Sequence, residues 1–110
     1  MSLKVERGPL FVADFENRFG WYVDRAGAAT AWRFKEALDA SLNKLSNWPE
    51  LGRLRNFSHA KLFELRSCPL QRPFQKVLIF YRIEGDVLFA FRLMHSARDL
   101  PRRLIEPPGS

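Results

Sequence analysis

Apolar residues recur along this chain at two different periods, and the change falls near its middle. Phe15, Phe19, Tyr22, Val23 and Ala26 follow one another at helical spacing, while Glu16, Asn17, Arg18 and Asp24 take the wet side. Asp14, just ahead of them, reads as the N-cap of this helix, and Gly27 breaks it. A second helix is predicted from about Ala28 to Ser46, with Ala31, Phe34, Leu38, Leu42 and Leu45 on one stripe. Pro49 and Gly52 end it. Before both helices, the short apolar run from Pro9 to Ala13 reads as a first, edge strand, where a proline is tolerated. Two amphipathic helices joined by a short break form an αα-hairpin, which must bury its stripe on another layer.

In the second half the period shortens to two. Lys61 to Cys68 reads as a strand, with Phe63 and Leu65 set against Glu64 and Arg66. Cys68 to Phe74, carrying Pro69 and Pro73, is a connection. Lys76 to Ile83 is an unbroken apolar strand, suited to a sheet centre with both faces partly covered. Glu84-Gly85-Asp86 makes a hairpin turn into a strand from Val87 to Met94. Arg98 to Leu104 adds one or two helical turns. The predicted order is β-α-α-β-β-β. The expected fold is α+β: a twisted antiparallel sheet with a helical hairpin on one face and a short C-terminal helix.

Composition narrows the class. At 110 residues the chain suits one domain, residues 1–110 with a core at about 9–104. Hydrophobic residues make up 46% and aromatics 14%, enough for a packed core rather than disorder. No apolar run reaches the roughly 18 residues of a membrane span, and no secretory leader is seen, so a cytoplasmic protein is expected. Cys68 is alone, so neither an internal disulfide nor a zinc or redox motif is expected. No cofactor and no metal is expected. The net charge of +6 is uneven: residues 1–50 hold seven cations and seven acids, residues 51–110 eleven and five. Nine of those eleven are arginines, whose planar fork suits carboxylate or phosphate partners. A merely solvated basic surface is the plainer account of the same numbers.

The stretch Leu78-Ile79-Phe80-Tyr81-Arg82-Ile83-Glu84-Gly85-Asp86, followed by Phe91-Arg92-Leu93-Met94-His95-Ser96-Ala97-Arg98-Asp99-Leu100-Pro101, resembles the signature of ParE-type toxins. That signature is an apolar strand ending in Tyr-Arg, a Gly-containing hairpin and an Arg-x-x-His-x-x-Arg-Asp segment. Trp48-Pro49-Glu50-Leu51-Gly52-Arg53 is similar to the family's Pro-x-x-Gly turn after the second helix. The resemblance covers roughly residues 9 to 104. It implies a toxin of a type II toxin–antitoxin pair in the ParE/RelE superfamily (a plasmid stabilisation protein), held with a cognate antitoxin in a hetero-oligomer.

Two activities divide that superfamily. ParE-like members are associated with inhibition of DNA gyrase, and RelE-like members cut mRNA on the ribosome without a metal. Cleavage needs a base, an acid and cations around one phosphate. The resemblance would offer Glu64 as base, His95 or Tyr81 as acid, and Arg66, Arg82 and Arg92 as charge holders. Two departures weaken that reading. Leu78 stands where nucleases typically carry an arginine, and the chain ends Glu106-Pro107-Pro108-Gly109-Ser110 instead of in basic or His/Tyr residues. Gyrase inhibition therefore ranks first, RNA cleavage second, and a non-toxic binding module on the same scaffold third.

The partner-binding candidates are Arg66, Arg82, Arg92, His95 and Arg98, with Trp21 and Trp32 as exposed contacts on the helices. Each also has a plainer account. His95 suits an anchor for the last helix, Arg98-Asp99 a helix-starting pair, and Tyr81 a core ring with its hydroxyl at an edge. Strand arginines often merely face water. Trp21 and Trp32 would equally widen the buried face of the helices, and Cys68 suits a small inert apolar residue.

Overall fold

Pro9 opens a helix instead of a strand. Its ring presets the helical φ and its missing N–H is one the first turn leaves unpaired anyway. Gly8 before it has an extended backbone (φ −68°, ψ 160°) and acts as the N-cap. In the computed structural model, which describes residues 2–95 and 100–108, helix α1 therefore runs Pro9–Ala26. The first strand, β1, is the charged stretch Lys4–Arg7 just before it. Both the strand predicted at Pro9 to Ala13 and the N-cap predicted at Asp14 are thereby corrected.

Gly27, at φ +92°, turns the chain into α2, Ala28–Asn47. All five predicted stripe residues of α2 are buried. A 3-10 turn at Pro49–Leu51 leads into β2, Arg53–Leu54, and a second at Ala60–Leu62 precedes β3, Arg66–Pro69. Glu64 sits at φ +50°, in the left-handed region, so the strand predicted from Lys61 starts only at Arg66. Strands β4, Val77–Glu84, and β5, Val87–His95, form the predicted hairpin around Gly85 at φ +63°. Helix α3, Leu100–Ile105, closes the described chain.

The five strands lie in the order β1-β5-β4-β3-β2. All neighbours are antiparallel except β1 and β5, which run parallel from Lys4↔Val87 to Arg7↔Ala90. The sheet is mixed, not wholly antiparallel as expected: β1 joins at one edge parallel to β5, and the chain between them runs through the αα-hairpin, β2, β3 and β4, a long enough path for a parallel pairing. One face packs Phe11, Phe34, Leu38 and Leu45 of the helices on Ile79, Tyr81, Leu88 and Leu93. The other face carries a second cluster of Leu62, Leu65, Phe80, Met94 and Leu104. Coverage on both sides is why β4 has no polar alternation. The register slips between Phe80↔Arg92 and Tyr81↔Ala90, so Phe91 is an extra, unpaired residue, a bulge. No helix among the described residues is long and apolar enough to cross a membrane.

Candidate functional site

Strand β1 accompanies β5 only as far as Ala90, whose carbonyl accepts the Gly8 N–H at 2.9 Å. Beyond that point no strand among the described residues lies on that side of β5, and Asp14 of α1 reaches toward it. Its Oδ2 accepts the Leu93 N–H at 3.0 Å, doing what a neighbouring strand's carbonyl would do. The same carboxylate takes a two-pronged grip from Arg92: Nε to Oδ2 at 2.7 Å and Nη2 to Oδ1 at 3.0 Å. Arg92 Nη1 then donates to the carbonyls of Leu104 at 2.9 Å and Glu106 at 2.6 Å, with Arg103 at 3.3 Å. A cation at the carbonyl end of α3 also suits the helix dipole. The Arg92 and Asp14 side chains are 2% and 8% exposed. The pair locks α1, β5 and α3 together.

Over this pair lies a cavity of about 280 Å³ between α1 and the stretch ending at Pro108. Leu93, Met94 and His95 form its floor, with Arg18, Trp21 and Arg103 among its walls. The Arg18 guanidinium lies 4.8 Å from the Trp21 indole centroid and that of Arg25 5.2 Å from it. Glu106, also at the rim, pairs with Arg102 at 3.5 Å.

The remaining predicted residues are dispersed. Tyr81 Oη donates to the Pro49 carbonyl at 2.6 Å and accepts the Gly52 N–H at 2.9 Å. Burial pushes its phenol above the ordinary tyrosine range, against the pull of the Gly52 hydrogen bond. Arg82, on the opposite sheet face, donates to the carbonyls of Phe63 at 2.9 Å and of Lys61, and its guanidinium stacks 4.3 Å from the Phe63 ring. Burial lowers its pKa, while Glu84 and Glu64 oppose the shift. Arg66 donates to the Gly52 carbonyl at 2.9 Å and so holds the turn after α2. Glu64 is exposed, and His95 is exposed opposite Val77. Cys68 is half-buried, and burial raises its thiol pKa.

The expectation that the last two strands display their arginines outward is thus overturned. Arg82 is 7% exposed and Arg92 2%, and both guanidiniums are spent on internal partners. Arg98 lies outside the described residues. Trp21 and Trp32 stay 42% and 54% exposed, so they do not extend the buried face; Trp32 sets its edge on Phe19 at 5.3 Å between centroids. Asp14, read from sequence only as a helix cap, and Arg18 and Arg103 were not among the predicted site residues. Phe11, Asp14 and Arg18 share one helical stripe, so a lone acid in an aromatic row was the available signal. Among the described residues, no three His, Cys, Asp or Glu side chains group so as to hold a metal ion.

A helical hairpin on a five-stranded mixed sheet, with a short C-terminal helix on its other face, is a small α+β fold. The chain belongs to the ParE toxin family: residues 5–100 match the family model described as ParE toxin of type II toxin–antitoxin system, parDE. Its fold is similar to a solved chain of a chromosomal ParDE toxin–antitoxin system from P. aeruginosa, with a TM-score of 0.70 and 16% identity. That match covers 87% of this chain and 98% of the other. No curated protein matches the chain.

Proposed function

We propose that this ParE-type protein is a protein inhibitor that arrests growth by binding DNA gyrase in the cytoplasm, and that a cognate antitoxin neutralises it by direct binding. The observation that carries this reading is the dispersal of the nuclease candidates. Tyr81, Arg82 and Arg92 have their polar atoms engaged by backbone groups or by Asp14, with Tyr81 and Arg82 on opposite faces of the sheet. A phosphate in flight needs its acid, base and cations within hydrogen-bond reach of one point. A phenol whose pKa is raised by burial is also a poorer proton donor. Leu78, half-buried between Pro69 and Met94, brings no charge to the strand.

Supercoiling by purified gyrase tests the reading: inhibition is expected as the protein approaches the enzyme's concentration, and full activity at large excess would overturn it. Primer extension on mRNA after induction distinguishes the RelE-type alternative, which would leave cuts at ribosomal A-sites. Unimpaired growth on expression without antitoxin would identify a non-toxic binding module.

A further inference from the structure

We infer that β2, at the far edge of the sheet from β1, receives an extended segment of a partner protein in which acidic and apolar side chains alternate. The inference stands on this edge alone and needs neither the gyrase nor the antitoxin reading.

The backbone sets the mode of contact. β2 ends the sheet, and no described strand lies beyond it. The Arg55 N–H donates to the Leu65 carbonyl at 2.8 Å, and Arg53 stands opposite Ser67. Leu54, between these two hydrogen-bonded positions, therefore turns its N–H and C=O away from β3, toward the open side. A strand laid there gains main-chain hydrogen bonds, and its side chains, pointing alternately to the two faces, are read separately.

The two faces differ in chemistry. Arg53 and Arg55, two residues apart, share one of them; Arg55 Nε donates to Ser67 Oγ at 2.8 Å, and Arg53 is exposed. Neither has a carboxylate partner among the described residues. Burial, and then the neighbouring charge of Arg53, lowers the Arg55 pKa, so a carboxylate brought here relieves a like-charge pair. On the other face Leu54 lies opposite Arg66, whose guanidinium holds the Gly52 carbonyl, and this face runs on into the turn after α2. There Trp48, Leu51 and Leu54 stay 68%, 52% and 49% exposed, and Asn47 to Leu51 line a hollow of about 400 Å³. Cations on a short edge strand, taken alone, only guard it against aggregation. Three exposed apolar side chains on its other face work against that purpose and suit an anchoring site. A second copy of this chain is the poorer occupant, because antiparallel pairing about Leu54 sets Arg53 of one copy against Arg55 of the other. A nucleic-acid strand brings phosphates to the arginines but no peptide backbone to continue the sheet.

A fluorescent peptide alternating valine and glutamate, titrated into the full chain and read by anisotropy, tests the edge. Its comparators are a peptide of the same composition with the valines and glutamates in two blocks, an alternating valine–glutamine peptide, and an oligouridine of similar length. The alternating acidic peptide is expected to bind, less tightly as salt screens the charges, and to protect the Leu54 amide from hydrogen exchange. The block and glutamine peptides should bind on the order of tenfold or more weakly, the scale of a lost charge-assisted hydrogen bond. Arg53→Glu and Trp48→Ser should each weaken binding to a similar degree, while Lys4→Glu at the β1 edge leaves it unchanged. If Arg53→Glu loses its cooperative melting transition, Arg53→Gln replaces it. No binding, equal binding of the block or glutamine peptide, tighter binding of oligouridine, or an unprotected Leu54 amide at saturation would each overturn the proposal. So would indifference to the Arg53 and Trp48 variants. Sedimentation of the free chain as a dimer that Trp48→Ser dissolves would give the face to a second copy and overturn it as well.

Discussion

Asp14 carries more of the structure than its position in the sequence suggests. An aspartate before Phe15 and Phe19 looks like a helix start, yet the helix begins five residues earlier and the carboxylate ends inside the protein. What hid it is that capping and burial use the same residue type; only Pro9 at the first helical position decides between them. Burying such a pair is costly, and removing one member strands the other. Asp14→Ala or Arg92→Leu is expected to lose about 3–5 kcal/mol of stability in urea unfolding, whereas Asp14→Leu with Arg92→Met should lose clearly less than either. Equal losses in all three would show that the buried charges are not what matters. Gly52 offers a second residue-scale test, because a Cβ there would stand 2.7 Å from Cε1 of Tyr81. Gly52→Ala should therefore lower Tm by forcing the ring away. Tyr81→Phe leaves the Gly52 amide and Pro49 carbonyl unpaired and is expected to cost about 1–3 kcal/mol.

Elements with a clean period were legible in the sequence: α2, the β4–β5 hairpin and its turn lie where the pattern places them, and α1 does so from Phe15 onward. Elements set by a partner were not. β1 is Lys4-Val5-Glu6-Arg7, with one apolar residue in four, and becomes a strand only because β5 lies beside it. β2 has two residues, and its partner β3 is cut short at Glu64 by a backbone conformation that hydrophobicity does not encode. A salt-bridge cluster fastens β1 to α2: Asp39 accepts from Arg7 at 3.0 Å and from Lys35 at 2.7 Å. Burial works against the charged carboxylate, but the hydrogen bonds and charges of Lys35 and Arg7 outweigh it and hold the pKa below the ordinary aspartate value. A depressed folded-state pKa means the stabilisation is present above the unfolded value and fades as pH falls through the folded one. Between neutral pH and about pH 3, Asp39→Asn should thus flatten the decline of Tm with acidity. The same slope in wild type and variant would remove Asp39 from the account.

At the scale of the whole molecule, the basic surplus of the second half divides into two populations that its sequence cannot tell apart. Arg82 and Arg92 are internal ties, whereas Arg53, Lys61, Arg72, Lys76 and Arg103 are exposed. Growth arrest should accordingly weaken for Arg92→Ala together with the amount of folded protein, while Lys4→Ala and Lys44→Ala leave both unchanged; immunoblots beside growth curves separate the two causes. An Arg92→Ala protein at normal abundance with no toxicity would instead return that residue to a contact role. The sequence could not make this division because the length of a strand edge, and so the place where Asp14 fits, depends on where β1 stops. There is a temporal side to that pairing. Residues 4–7 lie beside residues 87–90, so the earliest strand to leave the ribosome waits for the latest. Until then Arg92 is unsynthesised, α1 has no latch and the sheet has no finished margin. Such distant pairing is slow to form. A nascent chain cut short before β5 therefore lacks both the paired margin and the latch on α1.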